Sequence, residues 1–241
     1  MKKLIVAFFL ATLPLLGLAA GGGVHLDDAD IDLSDQASLQ RGAKYFVNYC
    51  LSCHSAKYQR YNRMAKDLGL TEDEVKDNLM FTTDKIGETM EIAMGEQDAN
   101  AWFGTAPPDL SVIARARGVN WLYTYLRSFY IDEKRPFGVN NLVFPDVGMP
   151  HVLWKLQGMQ RARYEEVDGH EVFKGFEQVT PGSMSPEEFD VAMRDLTAFL
   201  SYVGEPIQME RKRIGVYVLL FIAVFFVLAF LLKKEYWKDV H

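Results

Sequence analysis

The sequence predicts a mostly α-helical protein with a small β-hairpin insertion and one C-terminal transmembrane helix. Apolar residues recur at helical spacing in several segments. Residues 214–232 form an apolar run without a single charged residue. One short stretch instead has the Asp-Gly pair and the partial alternation of a hairpin. These observations divide the chain into a leader at 1–20, a helical domain at 21–210, and an anchor with a short tail at 211–241.

The leader has the pattern of a secretory signal peptide. Met1-Lys2-Lys3 is a short basic start, and an apolar run from Leu4 to Leu18 follows it. Small residues at the end of this run suit cleavage after Ala19 or Ala20, and the sequence does not decide between the two. An uncleaved amino-terminal anchor is the alternative. The pattern predicts that the domain is exported from the bacterial cytoplasm.

The exported domain is strongly acidic. Residues 21–210 carry 30 Asp and Glu against 18 Lys and Arg, a formal net charge of −12, whereas the whole chain has −6. An acidic surface repels phosphates, so nucleic acid is excluded as a partner. The charge suits a basic protein partner, and simple solubility is the other explanation. The aspartates near the amino terminus lack the glycine and terminal glutamate of a calcium loop, which favours a solvated face.

Helices account for most of the predicted secondary structure. Ala37–Tyr49 has apolar residues at helical spacing, and Gly42 within it indicates close contact with another helix. Ser185, Pro186 and Glu188 form a strong start signal for a helix that ends at Gly204. Further helices are predicted at four places: from a capping box of Thr71 and Glu74 to about Met80, at Asp84–Met94, at Leu110–Ala116 and at Trp121–Phe129.

Two segments depart from the helical pattern. Arg163–Phe176 has Asp168-Gly169 between two partly alternating runs, which predicts a β-hairpin. Arg135–Val152 is rich in Pro, Gly and Asn, and this composition favours an ordered loop.

Ile214–Leu232 is predicted to span a membrane. Its nineteen residues rise about 28 Å as a helix, enough to cross a hydrocarbon core. Both flanks are basic, so the positive-inside rule gives no orientation. The signal peptide gives one instead: residues from about 21 to 213 lie in the periplasm, and Lys233–His241 stay in the cytoplasm. The expected location is the bacterial inner membrane, with Tyr236 and Trp237 at the lipid interface.

The chemistry of the domain is indicated by Cys50-Leu51-Ser52-Cys53-His54, which contains the only two cysteines of the chain. This CxxCH pattern attaches a c-type haem. Two thiols one helical turn apart form thioethers with the porphyrin, and His54 gives the iron an imidazole nitrogen. A zinc site requires more ligands than this stretch supplies, a redox dithiol usually opens a helix in a βαβ unit, and a plain disulfide would not require the histidine. One covalent haem c is therefore predicted.

A methionine in the irregular segment is the leading candidate for the sixth iron ligand. Met149 lies between Gly148 and Pro150, where the backbone has no helix hydrogen bonds and a side chain can project. A thioether ligand suits an electron carrier. A core role is the alternative for Met149. Met90 and Met94 have the four-residue spacing of core packing, and a surface or capping role is expected for the alternative ligands His25, His151 and His170.

A set of short motifs extends along the chain around the CxxCH stretch. They are Arg41-Gly42 and Cys50-Leu51-Ser52-Cys53-His54, Ala106-Pro107-Pro108-Asp109-Leu110-Ser111, Arg115-Ala116-Arg117, Phe144-Pro145, Met149-Pro150, Asp195-Leu196-Thr197-Ala198-Phe199-Leu200, Glu205-Pro206 and Arg211-Lys212-Arg213-Ile214-Gly215. With these motifs the chain resembles the cytochrome c1 family, the membrane-anchored haem subunits of the cytochrome bc1 complex. CxxCH alone would indicate any c-type cytochrome, but Pro-Pro-Asp-Leu-Ser, the distant Met-Pro pair and the single carboxy-terminal anchor together identify the family.

The resemblance implies a class I cytochrome c-like haem domain, with the first and last soluble helices crossing near the haem. It also implies an electron carrier that accepts from the Rieske iron–sulfur protein and donates to a soluble or tethered cytochrome c, while cytochrome b oxidises quinol. The carrier thus belongs to a quinol–cytochrome c oxidoreductase without binding quinol itself.

The resemblance assigns roles to individual residues as well. Met149 matches the axial methionine of the family. Arg117 matches the arginine that pairs with a haem propionate, with Arg115 as the alternate. Pro107 or Pro108 is expected to place a carbonyl against the outer nitrogen of His54.

One departure and two other functions accompany the resemblance. The chain has no second cysteine pair, so the loop near the haem is expected to be held by packing alone. The other functions are a membrane-anchored c-type subunit of a terminal oxidase, and a haem sensor or peroxidase with an open iron position.

Overall fold

The computed structural model describes residues 24–167 and 169–239. The predicted signal peptide with its cleavage site, and Asp168 of the hairpin turn, lie outside these residues. The helices within them are α1 (Gln36–Tyr49), α2 (Tyr61–Leu68), α3 (Glu72–Asn78), α4 (Glu96–Phe103), α5 (Ile113–Arg117), α6 (Val119–Arg127), α7 (Trp154–Gln157), α8 (Pro186–Gly204) and α9 (Gln208–Tyr236). The strands are β1 (Ala56–Arg60), β2 (Thr89–Met90), β3 (Phe129–Ile131), β4 (Val139–Asn141), β5 (Gly158–Val167) and β6 (His170–Pro181).

The protein is mostly helical, as predicted, and its described strands form only small sheets. The strands pair in sequence order, β1 with β2, β3 with β4 and β5 with β6, each pair antiparallel. The predicted hairpin is present and is longer than its sequence signal, because β5 and β6 pair from Gly158 and Pro181 to Val167 and His170. Gln160 attaches the hairpin to the helical part, since its Nε2 donates to the Phe129 carbonyl at 2.8 Å.

The centre of the fold is the crossing of α1 and α8 at Gly42. A Cβ atom added to Gly42 would lie 2.1 Å from the carbonyl oxygen of Asp195 and 2.7 Å from the Cβ of Phe199. Both distances are far below van der Waals contact, so the two backbones approach as closely as they do only because residue 42 has no side chain. The rings of Phe46 and Phe199 pack beside this point, with centroids 5.6 Å apart. The predicted helix contact of Gly42 is confirmed.

A charged pair fixes the register of the crossing. The carboxylate of Asp195 is buried, and it accepts hydrogen bonds from Arg41 Nε at 2.6 Å and from Ser38 Oγ at 2.6 Å. Arg41 Nη2 also donates to Asp195 Oδ1 at 3.0 Å, which makes the Arg–carboxylate contact bidentate. Because both donors lie on α1 and the acceptor lies on α8, sliding either helix would leave the buried carboxylate without partners.

The predicted helix at Asp84–Met94 is wrong. Thr89 and Met90 form β2, and the next helix, α4, begins only at Glu96. Two carbonyls of this segment pair with a neighbour: the Ile86 carbonyl accepts from Asn62 N at 2.9 Å, and the Glu88 carbonyl accepts from Tyr61 N at 3.1 Å. The bonds inside the segment are short turns, from Glu88 N to the Lys85 carbonyl and from Glu91 N to the Thr89 carbonyl, both at 2.9 Å. Tertiary pairing with the start of α2 thus replaces the helix hydrogen bonds. Neither β1 nor α2 was predicted.

The apolar C-terminal helix stands apart from the core. Among the described residues, α9 is the one helix long and apolar enough to cross a membrane, and none of its residues is buried within the chain. An apolar surface of this length is stable only in lipid or against another apolar helix. The helix therefore has the length and composition of a membrane anchor. Arg211 near its start pairs with Glu205 at the end of α8, where Arg211 Nη2 lies 3.1 Å from Glu205 Oε2.

Candidate haem site

The CxxCH residues form a tight turn at the end of α1. Cys50 is the C-cap of this helix, and its carbonyl accepts from the amides of both Cys53 at 3.0 Å and His54 at 2.8 Å. The turn brings the two cysteines and the histidine together on one short piece of backbone. Cys50 is buried and Cys53 half-buried, and the two thiols are not joined to each other.

His54 is oriented by a backbone carbonyl from a distant loop. Its Nδ1 lies 2.7 Å from the carbonyl oxygen of Pro108. A carbonyl can only accept, so this contact places the ring proton on Nδ1 and leaves the lone pair of Nε2 free. Burial lowers the pKa of His54 below its ordinary value, although Pro108 and Asp109 oppose the shift. The residue is thus held as a neutral imidazole with one nitrogen available to a metal.

The Pro-Pro-Asp-Leu-Ser segment is hydrogen-bonded to the chain that follows His54. The Ser55 carbonyl accepts from Leu110 N at 2.8 Å. The carboxylate of Asp109 bridges the two segments, accepting from Lys57 N at 3.0 Å and from Ser111 N at 2.9 Å. Both segments are therefore fixed by backbone amides, and the motif explains why the Pro108 carbonyl stays aimed at the imidazole.

Met149 lies in the irregular segment between β4 and α7, as the sequence predicts. Its side chain is half-buried, and its Sδ accepts a hydrogen bond from the hydroxyl of Tyr125 at 3.3 Å. Burial raises the pKa of Tyr125 above its ordinary value, so the hydroxyl keeps its proton and remains a donor. A Cβ atom added to Gly148 would lie 3.7 Å from Cγ2 of Thr105, three residues before Pro108. The segments that carry Met149 and Pro108 are therefore neighbours.

Two asparagines hold the Met149 segment in shape. Oδ1 of Asn141 accepts from Val143 N at 3.1 Å and from Phe144 N at 3.2 Å. Oδ1 of Asn140 accepts from Asp146 N at 2.8 Å. Both asparagines are buried, so these bonds satisfy their side-chain oxygens and fix the backbone of the segment. The expectation that the loop is held by packing alone is wrong, because side-chain amides close it.

Arg117 and Arg115 have different surroundings. The guanidinium of Arg117 is exposed and lies over two rings, 5.0 Å from the centroid of Trp121 and 5.6 Å from that of Phe144. Arg115 instead lies beside the end of α8, with its Nη1 4.0 Å from Glu205 Oε2. Arg117 is thus the arginine that borders the Met149 segment, and its charge is not paired with a carboxylate among the described residues.

The alternative ligands lie in different settings from Met149. Met64, Met90 and Met193 are fully buried in the core. His151 is buried as well and stacks on Phe129 with centroids 5.1 Å apart, and burial lowers its pKa to about 4. The remaining two candidates are on the surface: His25, which lies 3.8 Å from a carboxylate oxygen of Asp27, and His170, at the tip of the hairpin.

These residues fit a c-type haem better than the other groups that a Cys–His site can hold. Two thiols and a neutral histidine occupy one turn, and a thioether is presented by a separate loop, which matches the donor set of a low-spin haem. Within residues 24–167 and 169–239, three or more His, Cys, Asp or Glu residues nowhere form a metal-binding cluster. Burial raises the pKa of the Cys50 thiol to about 12, opposite to the lowered pKa of a redox-active dithiol.

Sequence reasoning did not identify Tyr125 or the two asparagines as part of the site. A signal for Tyr125 exists: Trp121 and Tyr125 are spaced by four, which places both aromatic residues on one face of the predicted helix. The asparagines were included only in the composition of a loop. Their side-chain bonds to amides two to six residues away leave no periodic pattern.

Comparison with known proteins agrees with the geometry. The family model described as Cytochrome C1 family matches residues 29–240. Cytochrome c1 of Allochromatium vinosum is 57% identical over 100% of both chains. The ammonia monooxygenase gamma subunit of Nitrosomonas europaea is 49% identical over 100% of this chain and 98% of its own. Cytochrome c1 of Rhodospirillum rubrum is 29% identical over 99% of this chain and 97% of its own.

The match therefore extends from the CxxCH turn through the Pro108 and Met149 segments to the apolar C-terminal helix. A family model over most of the chain and a relative identical at more than half of its positions agree on one assignment. This chain belongs to the cytochrome c1 family, the haem-bearing electron-transfer subunits of cytochrome bc1 complexes.

Proposed function

We propose that this chain holds one covalent haem c in a domain of the class I cytochrome c type, which comprises residues 21–210. The hydrogen bond between His54 Nδ1 and the Pro108 carbonyl, at the end of the CxxCH turn, is the observation that carries this proposal. Because this bond places the ring proton on Nδ1, the lone pair of the opposite nitrogen, Nε2, is free to bind iron. The haem supplies the one-electron ferric–ferrous couple when it is bound.

Each residue of the site has a separate task in this proposal. Cys50 and Cys53 would form the thioether links, and His54 and Met149 would supply the imidazole nitrogen and the thioether sulfur that hold the iron. The thioether of Met149 is neutral and soft, so it favours ferrous iron and a high reduction potential, as an electron carrier requires. Arg117 offers an exposed positive charge for a propionate. Pro108 fixes the tautomer of the histidine.

The electron passes through this chain between two protein partners. It is accepted from the Rieske iron–sulfur protein and given to a soluble or tethered cytochrome c, while quinol is oxidised at cytochrome b. The net charge of −12 on residues 21–210 supports a basic acceptor, because complementary charge accelerates encounter. The anchor helix makes one pass through lipid of the inner membrane, with the haem domain in the periplasm and the C-terminus in the cytoplasm.

Other assignments make different demands on the site. A haem sensor or peroxidase requires an open iron position, and a methionine whose sulfur is already oriented by Tyr125 argues against one. A terminal oxidase subunit would use the same electron-carrier site in another complex. One relative of high identity is named ammonia monooxygenase gamma subunit. A monooxygenase complex is therefore a further alternative for the assembly that contains this electron carrier.

Replacing the proposed sixth ligand tests the site. Met149→Leu should open the iron, allow carbon monoxide to bind and lower the reduction potential. Met90→Leu is the matched control, because Met90 is fully buried in β2 and a volume-conserving change there should cost less than about 1.5 kcal/mol of stability. Optical spectra with and without carbon monoxide report the outcome. A thioether-ligated spectrum that survives Met149→Leu and disappears in Met90→Leu would refute the assignment.

Purification in mild detergent tests the assembly. An affinity tag on the C-terminal tail should recover this chain together with a cytochrome b and a Rieske protein, and the isolated complex should reduce cytochrome c with quinol. Recovery with subunits of an oxidase or a monooxygenase instead would reassign the complex while leaving the haem site intact. A matched preparation that lacks the tag controls for nonspecific capture.

A further inference from the structure

Tyr125 is the side chain that directly contacts the sulfur of the proposed iron ligand. Its hydroxyl donates to Met149 Sδ at 3.3 Å across 24 residues of sequence. Within residues 24–167 and 169–239, this sulfur is the only hydrogen-bond partner of the hydroxyl. A thioether sulfur has two lone pairs, so it can bind iron with one and accept the Tyr125 proton with the other.

The ring of Tyr125 is held so that the hydroxyl keeps this direction. On one side it stacks on Trp121, with centroids 5.0 Å apart and planes 11° from parallel. It also packs against Phe129, with centroids 5.2 Å apart and planes at 70°. Asn141 Nδ2 also donates to the Tyr125 carbonyl at 2.8 Å, which ties the same residue to the Met149 segment. The donor is therefore preorganised by contacts with two aromatic rings and at the backbone.

A hydrogen bond to a coordinated sulfur withdraws electron density from it. A weaker electron donor stabilises ferric iron less, so the ferrous state gains relative to the ferric state. The bond also limits rotation of the thioether. Both effects act through Met149 rather than on the haem directly.

We propose that Tyr125 is a positioning residue that orients the Met149 thioether and raises the reduction potential of the haem through its hydroxyl. The proposal rests on the proposed function, since it requires Met149 to be an iron ligand. It goes beyond that function by assigning part of the potential to one hydroxyl group outside the ligand set.

Tyr125→Phe in the detergent-solubilised full chain is the first test. The variant keeps both ring contacts and removes only the donor. We expect a shift of about fivefold in the ferric–ferrous equilibrium toward ferric, the size of one lost neutral hydrogen bond, and this is a fall of about 40 mV at 59 mV per tenfold. Tyr123→Phe is the matched control on the same helix, because Tyr123 packs against Arg127 and not against Met149.

Two measurements separate the possible failures. If Met149→Leu leaves the thioether-ligated spectrum unchanged, the ligand assignment of the proposed function fails. If Met149→Leu removes that spectrum but Tyr125→Phe has the same potential as Tyr123→Phe, the inference about Tyr125 is overturned and the ligand assignment stands.

A second variant keeps the test decisive if Tyr125→Phe does not fold. Replacing Tyr125 with 3-fluorotyrosine retains the ring and makes the hydroxyl a stronger donor, so the potential should rise. A potential that stays at the wild-type value or falls would overturn the proposal.

Discussion

Replacing Gly42 with alanine is predicted to destabilise the domain because the new side chain forces α1 and α8 apart. The new methyl group would lie 2.1 Å from the Asp195 carbonyl oxygen and 2.7 Å from the Cβ of Phe199. Relief of the first overlap requires the helices to separate by about 1 Å, since ordinary contact begins near 3.4 Å. That movement loosens the Phe46–Phe199 contact and lengthens the hydrogen bonds from Arg41 to Asp195.

The magnitude follows from two opposing terms. Alanine gains about 1 kcal/mol of helix propensity over glycine. Overpacking against a backbone atom costs about 1–3 kcal/mol or more, and loss of the buried pairing at Asp195 adds to this cost. We expect net destabilisation of about 1–3 kcal/mol, which for a domain of this size lowers the midpoint of thermal unfolding by roughly 2–12 °C.

Thermal unfolding of the purified full chain in detergent, followed by circular dichroism, is the assay. Gly87→Ala is the matched control, because a Cβ atom there meets nothing within 4 Å. A midpoint for Gly42→Ala equal to or above that of the wild type would show that the two helices do not meet backbone to backbone at residue 42.

Four further experiments test other parts of the structure. Haem should stay on the polypeptide through acid-acetone extraction, and pigment that leaves with the solvent would contradict thioether attachment at Cys50 and Cys53. Truncation before Ile214 should release a soluble, acidic, red domain, because α9 buries none of its residues against the core; haem-free or aggregated protein would show that the anchor supports the fold. Asn141→Leu should remove the acceptor of the Val143 and Phe144 amides and of the buried Ser128 hydroxyl, cost about 1–3 kcal/mol and increase carbon monoxide binding; a carbon monoxide response equal to that of the wild type would mean that Asn141 does not hold the Met149 segment. Stopped-flow electron transfer to a basic cytochrome c should slow as salt rises toward physiological strength, where charges are screened beyond about 8 Å; a flat rate would indicate an apolar docking face.

Local signals in the sequence were sufficient for the elements that depend on local chemistry. The capping boxes at Thr71 and Ser185 are both present, with each side chain accepting from the amide three residues on. Gly42 was recognised because glycine in a helix usually has a packing reason. Residues 84–94 were misassigned because their backbone partners belong to α2 and β1, and helical spacing of apolar residues contains no information about such partners.

The residues of the site also divide into those that a local motif indicates and those that only the fold brings together. The CxxCH turn could be expected from a contiguous motif, whereas the carbonyl near His54 was implied only by the family resemblance, which did not distinguish Pro107 from Pro108. The contact between Tyr125 and Met149 joins two elements across 24 residues, and no motif contains both. Each residue alone is compatible with ordinary packing, so only the fold reveals that a donor meets a sulfur.

The amide-closed Met149 loop has a consequence for how the protein matures. Asn140 and Asn141 close this loop without a disulfide, and the sequence contains no cysteine besides Cys50 and Cys53. In the proposed periplasmic location, an oxidising compartment can form only one intramolecular disulfide, between Cys50 and Cys53, and this disulfide must be reduced before the proposed haem attachment. A single thiol–disulfide exchange reverses that error, with no isomerisation among competing pairs. The folding of the Met149 segment therefore does not depend on disulfide chemistry, which concerns only Cys50 and Cys53.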